Sequence, residues 1–203
     1  MMLRGLRILA IGLACLAGGA AAAQPYEVVE PTYDAPQAAT GAPAPFSVDE
    51  IVSSGNQVFS EFTQGFAAIV ERAVSNYGLP NGYIVGEEAG GALIGGVRYG
   101  QGILYTRNAG TYQVFWQGPS LGLDVGANGN RVMMMVYNLP SVNAIFDRFI
   151  GVNGSAYVVA GLGMTVLSKN SITVVPVVSG VGARLGVNFG YIKFTSRKTW
   201  NPF

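Results

Sequence analysis

Few residues of this chain could do chemistry, and each group also has a structural reading. GGALIGGVRYGQGILYT, from Gly90 to Thr106, carries enough glycine to wrap a phosphate. Glu87 and Glu88 are adjacent carboxylates, the residue type of general acid–base work. Asp124 and Asp147 stand alone, and Lys169 follows a serine in SKNS. Met133, Met134 and Met135 form a soft, adaptable run of the kind found at apolar binding surfaces.

The phosphate reading fails on its own terms. A dinucleotide loop needs Gly-x-Gly-x-x-Gly between a strand and a helix, so that the helix N-terminus meets the anion. Gly100-Gln101-Gly102 has no third glycine in place and runs into ILYT, which reads as a strand. Gly180-Val181-Gly182 likewise leads into strand-like residues. Glycines inside strands mark bends, bulges and close backbone approach, which a small barrel needs to turn its corners. The paired glutamates fare no better, because neighbours on a strand point to opposite faces. One of them is expected to face inward.

Composition narrows the chemistry further. Histidine is absent and Cys15 is the one cysteine, which excludes imidazole acid–base catalysis, a His-paired nucleophile and most zinc sites. The formal charge is +1; without Arg4 and Arg7 the 12 basic residues become 10 against 11 acidic ones, so no basic surface for nucleic acid is expected. Only 11% of residues are charged, against about a quarter in ordinary soluble domains, and 50% are apolar. That balance suits a β-rich chain with much surface hidden by lipid, ligand or partner. We expect no enzyme, no cofactor and no metal.

The elements that must position these residues follow the first 46. Arg4 and Arg7 precede an apolar run from Ile8 to Ala17, and Ala21-Ala22-Ala23 precede Gln24: the pattern of a cleavable secretory signal over 1–23, with cleavage between Ala23 and Gln24. The run is too short to span a membrane comfortably. Lipid attachment at Cys15 is the weaker alternative, because Gly12 stands where a leucine is wanted. The expected location is the periplasm, with no transmembrane span in the mature chain. Residues 24–46 form a linker in which Pro25, Pro31, Pro36, Pro43 and Pro45 block regular structure.

Residues 47–78 form an amphipathic helical segment. Ser47 and Glu50 make a capping box, Gly78 is the stop, and Ile51, Val58, Phe59, Phe62, Phe66, Ile69, Val70 and Ala73 share one face. Ser54-Gly55 is expected to break or kink it. The face lacks the lysines an anionic membrane would favour, so it is read as core.

From 79 to 203, turn residues recur every 8 to 12 positions between runs of Val, Ile, Tyr and Phe. The fold class is mainly β: a small closed or nearly closed barrel of about 8–11 short strands. Strands are expected near 83–89, 91–98, 101–107, 111–117, 121–127, 131–137, 155–161, 163–168, 171–178, 181–188 and 189–195, with a hairpin at Ala127–Asn130 and a short helix near 139–149 closing one end. In the methionine run, one set of side chains should face inward and the other should meet a helix. An outer-membrane barrel is the poorer alternative: stepping back in twos from Phe203 meets Asn201, Thr199, Arg197 and Thr195, none apolar.

The residues also suggest families. Tyr99, Gly100 and Gly102, the spaced Gly118, Gly122 and Gly126, and the aliphatic run Val132–Asn138 resemble the SYLF lipid-binding domain over roughly Gly90 to Tyr191. Over nearly the whole mature chain the sequence resembles a domain-of-unknown-function family of exported alphaproteobacterial proteins, small periplasmic β-barrels linked to cell-envelope integrity. The resemblance implies a non-catalytic periplasmic protein that binds a lipid or another apolar envelope component. The alternative is a barrel filled by its own side chains that works through an envelope protein partner. Residues proposed to meet a ligand are Arg98, Tyr99, Arg107, Arg131, Met133, Met135 and Arg184, the arginines as partners for an anionic head group.

Overall fold

The computed structural model describes residues 42–91, 96–120, 130–179 and 190–201. Ser47 opens helix α1 (Val48–Val58) with the expected capping box: its hydroxyl accepts from the Glu50 N–H, and the Glu50 carboxylate accepts from the Ser47 N–H at 2.8 Å. Helix α2 (Thr63–Tyr77) ends at Gly78, whose φ of 77° only glycine adopts without strain. The break between the helices falls at residues 59–62 and not at Ser54-Gly55. Gly55 is buried within α1, and a Cβ there would lie 1.9 Å from the Phe66 ring. The glycine lets the two helices cross closely; it does not stop the first.

Among the described residues ten antiparallel strands follow: β1 (Gly82–Gly91), β2 (Gly96–Thr106), β3 (Gly110–Ser120), β4 (Asn130–Tyr137), β5 (Arg148–Gly151), β6 (Tyr157–Val159), β7 (Leu162–Met164), β8 (Leu167–Lys169), β9 (Ile172–Ser179) and β10 (Tyr191–Thr195). Eight of them, in the order β4-β1-β2-β3-β10-β5-β8-β9, close on themselves through β4–β9 pairing, so the expected barrel is what the chain forms. The β6–β7 hairpin pairs with the same edge of β9 that β8 uses. Pro176 lies between those two pairings; its carbonyl accepts from Thr165, and it has no N–H to donate.

Several expectations need correction. The separate strands expected near 91–98 and 101–107 are one continuous strand, β2. The short helix near 139–149 shrinks to a 3₁₀ turn, Val142–Ile145, and Phe149 belongs to β5, where it enters the barrel. The turn still closes one end: Leu139, Val142 and Ile145 join the interior, and buried Asn81 exchanges two amide hydrogen bonds with the Leu139 backbone, at 2.9 and 3.0 Å. The Ala127–Asn130 hairpin and the strands near 121–127 and 181–188 lie largely outside the described residues.

Two cores result from strict alternation. Ile84, Leu104, Val114, Trp116, Val132, Met134, Val136, Phe149, Val174, Ile192 and Phe194 form one buried cluster in the barrel interior. Met133, Met135, Tyr137, Val175 and Val177 point outward, where Ile51, Phe66, Ile69, Val70 and Ala73 of the helices cover them. The methionine run divides as its period-2 spacing requires. A mostly apolar interior, holding the Glu88–Arg98 pair, with a mixed exterior is the reverse of the transmembrane-barrel pattern. No described helix is long and apolar enough to cross a membrane.

Candidate functional site

Two glycines of the GGALIGGVRYGQGILYT stretch, Gly100 and Gly102, serve close packing. Gly86 and Gly102 are partners across β1 and β2, and a Cβ on Gly86 would lie 2.1 Å from the Gln101 carbonyl oxygen. Gly100 faces the interior, where a Cβ would lie 2.1 Å from the Trp116 indole. The missing side chains let two backbones approach and make the space that the tryptophan fills.

Glu87 and Glu88 separate as a strand demands. Glu88 turns inward, is buried, and its carboxylate accepts from Trp116 Nε1 at 2.8 Å. Arg98, also inward, brings Nη1 to 3.9 Å from the Glu88 carboxylate, and its Nε is buried without a partner. A buried carboxylate is tolerated when it is both paired and hydrogen-bonded, and Arg98 and Trp116 supply those two things. The two glutamates therefore do not converge on one reacting atom.

On the outer side of the same strands lies a groove of about 420 Å³. Glu87 and Ala89 of β1, Tyr99 and Gln101 of β2, and Phe115 and Gln117 of β3 line it, with Lys198 and Trp200 of the C-terminal segment above them. The Tyr99 hydroxyl donates to the Trp200 carbonyl at 2.9 Å, and their rings meet edge to face at 5.4 Å. Lys198 places its ammonium 5.0 Å from the centre of the Trp200 ring. Trp200 is nonetheless 70% exposed. Gln117 is the reverse: 1% exposed, with an amide nitrogen that has no hydrogen-bond partner.

The residues proposed from sequence are dispersed. Arg98 and Tyr99 are neighbours on β2 but lie on opposite sides of the sheet, and only Tyr99 lines the groove. Arg107 pairs with Glu50 and sits over the Phe46 ring, joining the β2–β3 turn to the start of α1. Arg131 donates to the Val58 carbonyl at 3.3 Å, where a cation meets the C-terminal end of α1. Met133 and Met135 are buried beneath the helices. Arg184 and Asp124 lie outside the described residues. Asp147 pairs with Lys169 and accepts from the Arg148 N–H; these contacts, the lysine first, hold its carboxyl below the usual range. Among the described residues no three His, Cys, Asp or Glu side chains gather as metal ligands do.

Sequence reasoning found Tyr99 but missed Gln101, Phe115, Gln117, Lys198 and Trp200 as its companions. The signal was present in part: outward positions of β2 and β3 alternate aromatic with amide residues. That the C-terminal segment covers them is a tertiary fact.

Fold and site together define a closed antiparallel β-barrel whose described interior residues form one buried apolar cluster, with helices on one outer face and an aromatic, polar groove on another. The chain belongs to the Envelope integrity protein A (EipA) family, whose profile matches residues 44–203. It is similar to a β-barrel-like, uncharacterised protein from Brucella abortus of known crystal structure: 53% identical, with a TM-score of 0.73, covering 78% of this chain and 99% of that one. No protein with a curated description matches the chain.

Proposed function

We propose that this is an exported, non-catalytic periplasmic protein that supports the cell envelope by binding an envelope component on the outside of its barrel. Family membership supports the envelope role, and the N-terminal signal pattern, cut between Ala23 and Gln24, supports export. On this reading 24–46 is a linker, 47–78 a helical segment and 79–203 the barrel. One observation carries the choice of the outer surface: the described interior is occupied by a contiguous cluster of buried side chains, tight enough that Gly100 has no room for a methyl group beside Trp116. A lipid inside would have to displace that cluster, at the cost of a packed core.

The test is native mass spectrometry of the mature chain, Gln24 to Phe203, purified from an envelope fraction, as wild type and as Trp200→Ala. The expected result is a bound mass on the wild type that Trp200→Ala loses. An acyl lipid that extracts into organic solvent and persists in Trp200→Ala would overturn the outer-surface reading. So would a bare polypeptide unchanged by incubation with envelope extract. Hydrolysis of any envelope substrate that disappears in Glu87→Gln would overturn the non-catalytic one.

A further inference from the structure

We propose that the groove over β1, β2 and β3 is a saccharide-binding site for a neutral sugar chain bearing N-acetyl groups. The assignment rests on the outer-surface reading above and goes further by naming the ligand's chemistry.

The lining sorts ligand classes. Its charged residues are Glu87, Glu88 and Lys198; the Glu88 carboxylate is buried against Trp116 and Arg98, which leaves Glu87 and Lys198, of opposite sign, to face a ligand, so the groove does not select an ion. Tyr99 and Trp200 offer aromatic surface, and Trp200 offers it to solvent. Gln117 keeps a buried amide N–H₂ group without an acceptor, and Glu87 and Gln101 stand exposed at the same place. A buried unpaired donor is costly and asks for an acceptor from outside. An acyl chain would cover the rings and leave that donor unanswered. An extended peptide is usually read through backbone hydrogen bonds at a free strand edge. Here the pairings Glu87↔Gln101, Gln101↔Phe115 and Tyr99↔Gln117 place those residues inside continuous ladders, so β1, β2 and β3 offer the groove no free strand edge.

A pyranose ring meets both demands. Its C–H face is apolar and slightly positive and lies well against the negative face of an aromatic ring. Its hydroxyl rim both donates and accepts, which suits Glu87 and Gln101. An N-acetyl carbonyl supplies the acceptor that Gln117 lacks. The volume of about 420 Å³ falls within the range of about 300–1,000 Å³ found for small-molecule sites.

The probe is the tetramer of N-acetylglucosamine, titrated into the mature chain and followed by tryptophan fluorescence. The chain has two tryptophans; Trp116 is buried and Trp200 exposed, so iodide quenching reports on Trp200. The expected result is saturable binding that shields Trp200 from iodide. Trp200→Ala should weaken binding at least about tenfold, as loss of an aromatic anchor does. Gln117→Met, with its fold checked by circular dichroism, should favour maltotetraose, which lacks N-acetyl groups, relative to the N-acetyl tetramer. No saturable binding of either tetramer overturns the saccharide assignment. If neither tetramer binds while the mass captured from the envelope is still lost in Trp200→Ala, or if that mass proves to be a peptide, the sugar is wrong and the groove stands. Equal affinity of wild type and Trp200→Ala for the N-acetyl tetramer overturns both.

Discussion

The two outer faces of this barrel obey the same alternation and end differently. On β4 and β9 the outward residues are Met133, Met135, Val175 and Val177, all fully buried under α1 and α2. On β1, β2 and β3 they include Glu87, Gln101, Phe115 and Gln117, which line an open groove. The backbone treats the two faces alike; side-chain chemistry decides which one recruits a helix pair. An apolar outward row must be covered, because leaving it in water forgoes roughly 25 cal/mol for each Å² that a helix could bury. A mixed aromatic and amide row can remain open and keep a capacity for binding.

The strongest way to break the comparison is to attack what both faces share. Trp116→Ala should destabilise the chain by about 3–5 kcal/mol, the usual range for a buried aromatic, and leave the Glu88 carboxylate without its donor; urea unfolding measures it. Next come the neighbours Met134 and Met133, both fully buried but in different cores. Each change to Ala should cost about 2–5 kcal/mol. Hydrogen exchange should tell them apart. Met134→Ala should weaken protection around the whole barrel, whereas Met133→Ala should release mainly the amides of α1 and α2. Equal loss everywhere would mean that the helices and barrel unfold as one unit.

Smaller effects sharpen the same contrast. Ser47→Ala removes the capping hydroxyl of α1 and should cost about 1 kcal/mol, visible as a lower melting temperature. On the covered face, burial, with Tyr77 adding to it, pushes the Tyr137 hydroxyl well above its ordinary pKa. A raised pKa means that the stability this neutral phenol contributes is fully present below about pH 10 and falls as pH rises towards the folded-state value. Tyr137→Phe should therefore flatten the alkaline limb of the stability curve. Asp147 and Glu50 act with the opposite sign. Lys169 and the Arg148 N–H hold the first low; the Ser47 N–H and hydroxyl, then Arg107, hold the second low. Their contribution is present above about pH 4 and lost in more acid solution, a weak effect because both are open to solvent. On the open face, Trp200→Ala should change stability by no more than about 0.5 kcal/mol, since the ring is mostly exposed. A larger loss would show that the C-terminal segment is part of the core rather than the wall of a site.

Much of the fold was legible from residue order. The capping box, the Gly78 stop, the apolar helix face and the division of the methionine run all depend on neighbours within a few positions. The errors arose where a residue's partner is distant. Gly55 reads as a helix breaker until Phe66 is seen lying against it. Phe146 and Phe149 have helical spacing, yet Phe149 pairs opposite Ile192 on β10 and is drawn into a strand. The candidate site was less legible for the same reason. Tyr99 was singled out as an aromatic beside the glycines, but its partner Trp200 comes from a segment far along the chain.

By itself the sequence determined the period-2 alternation, the two-faced helices and the absence of histidine chemistry, because each follows from side-chain type and local geometry. Tertiary structure alone decided that the strands close, that Glu88 is buried beside Trp116 while Glu87 stays in solvent, and that the C-terminal segment walls a groove. Those outcomes depend on contacts between residues distant in sequence, and only the closed barrel brings them together.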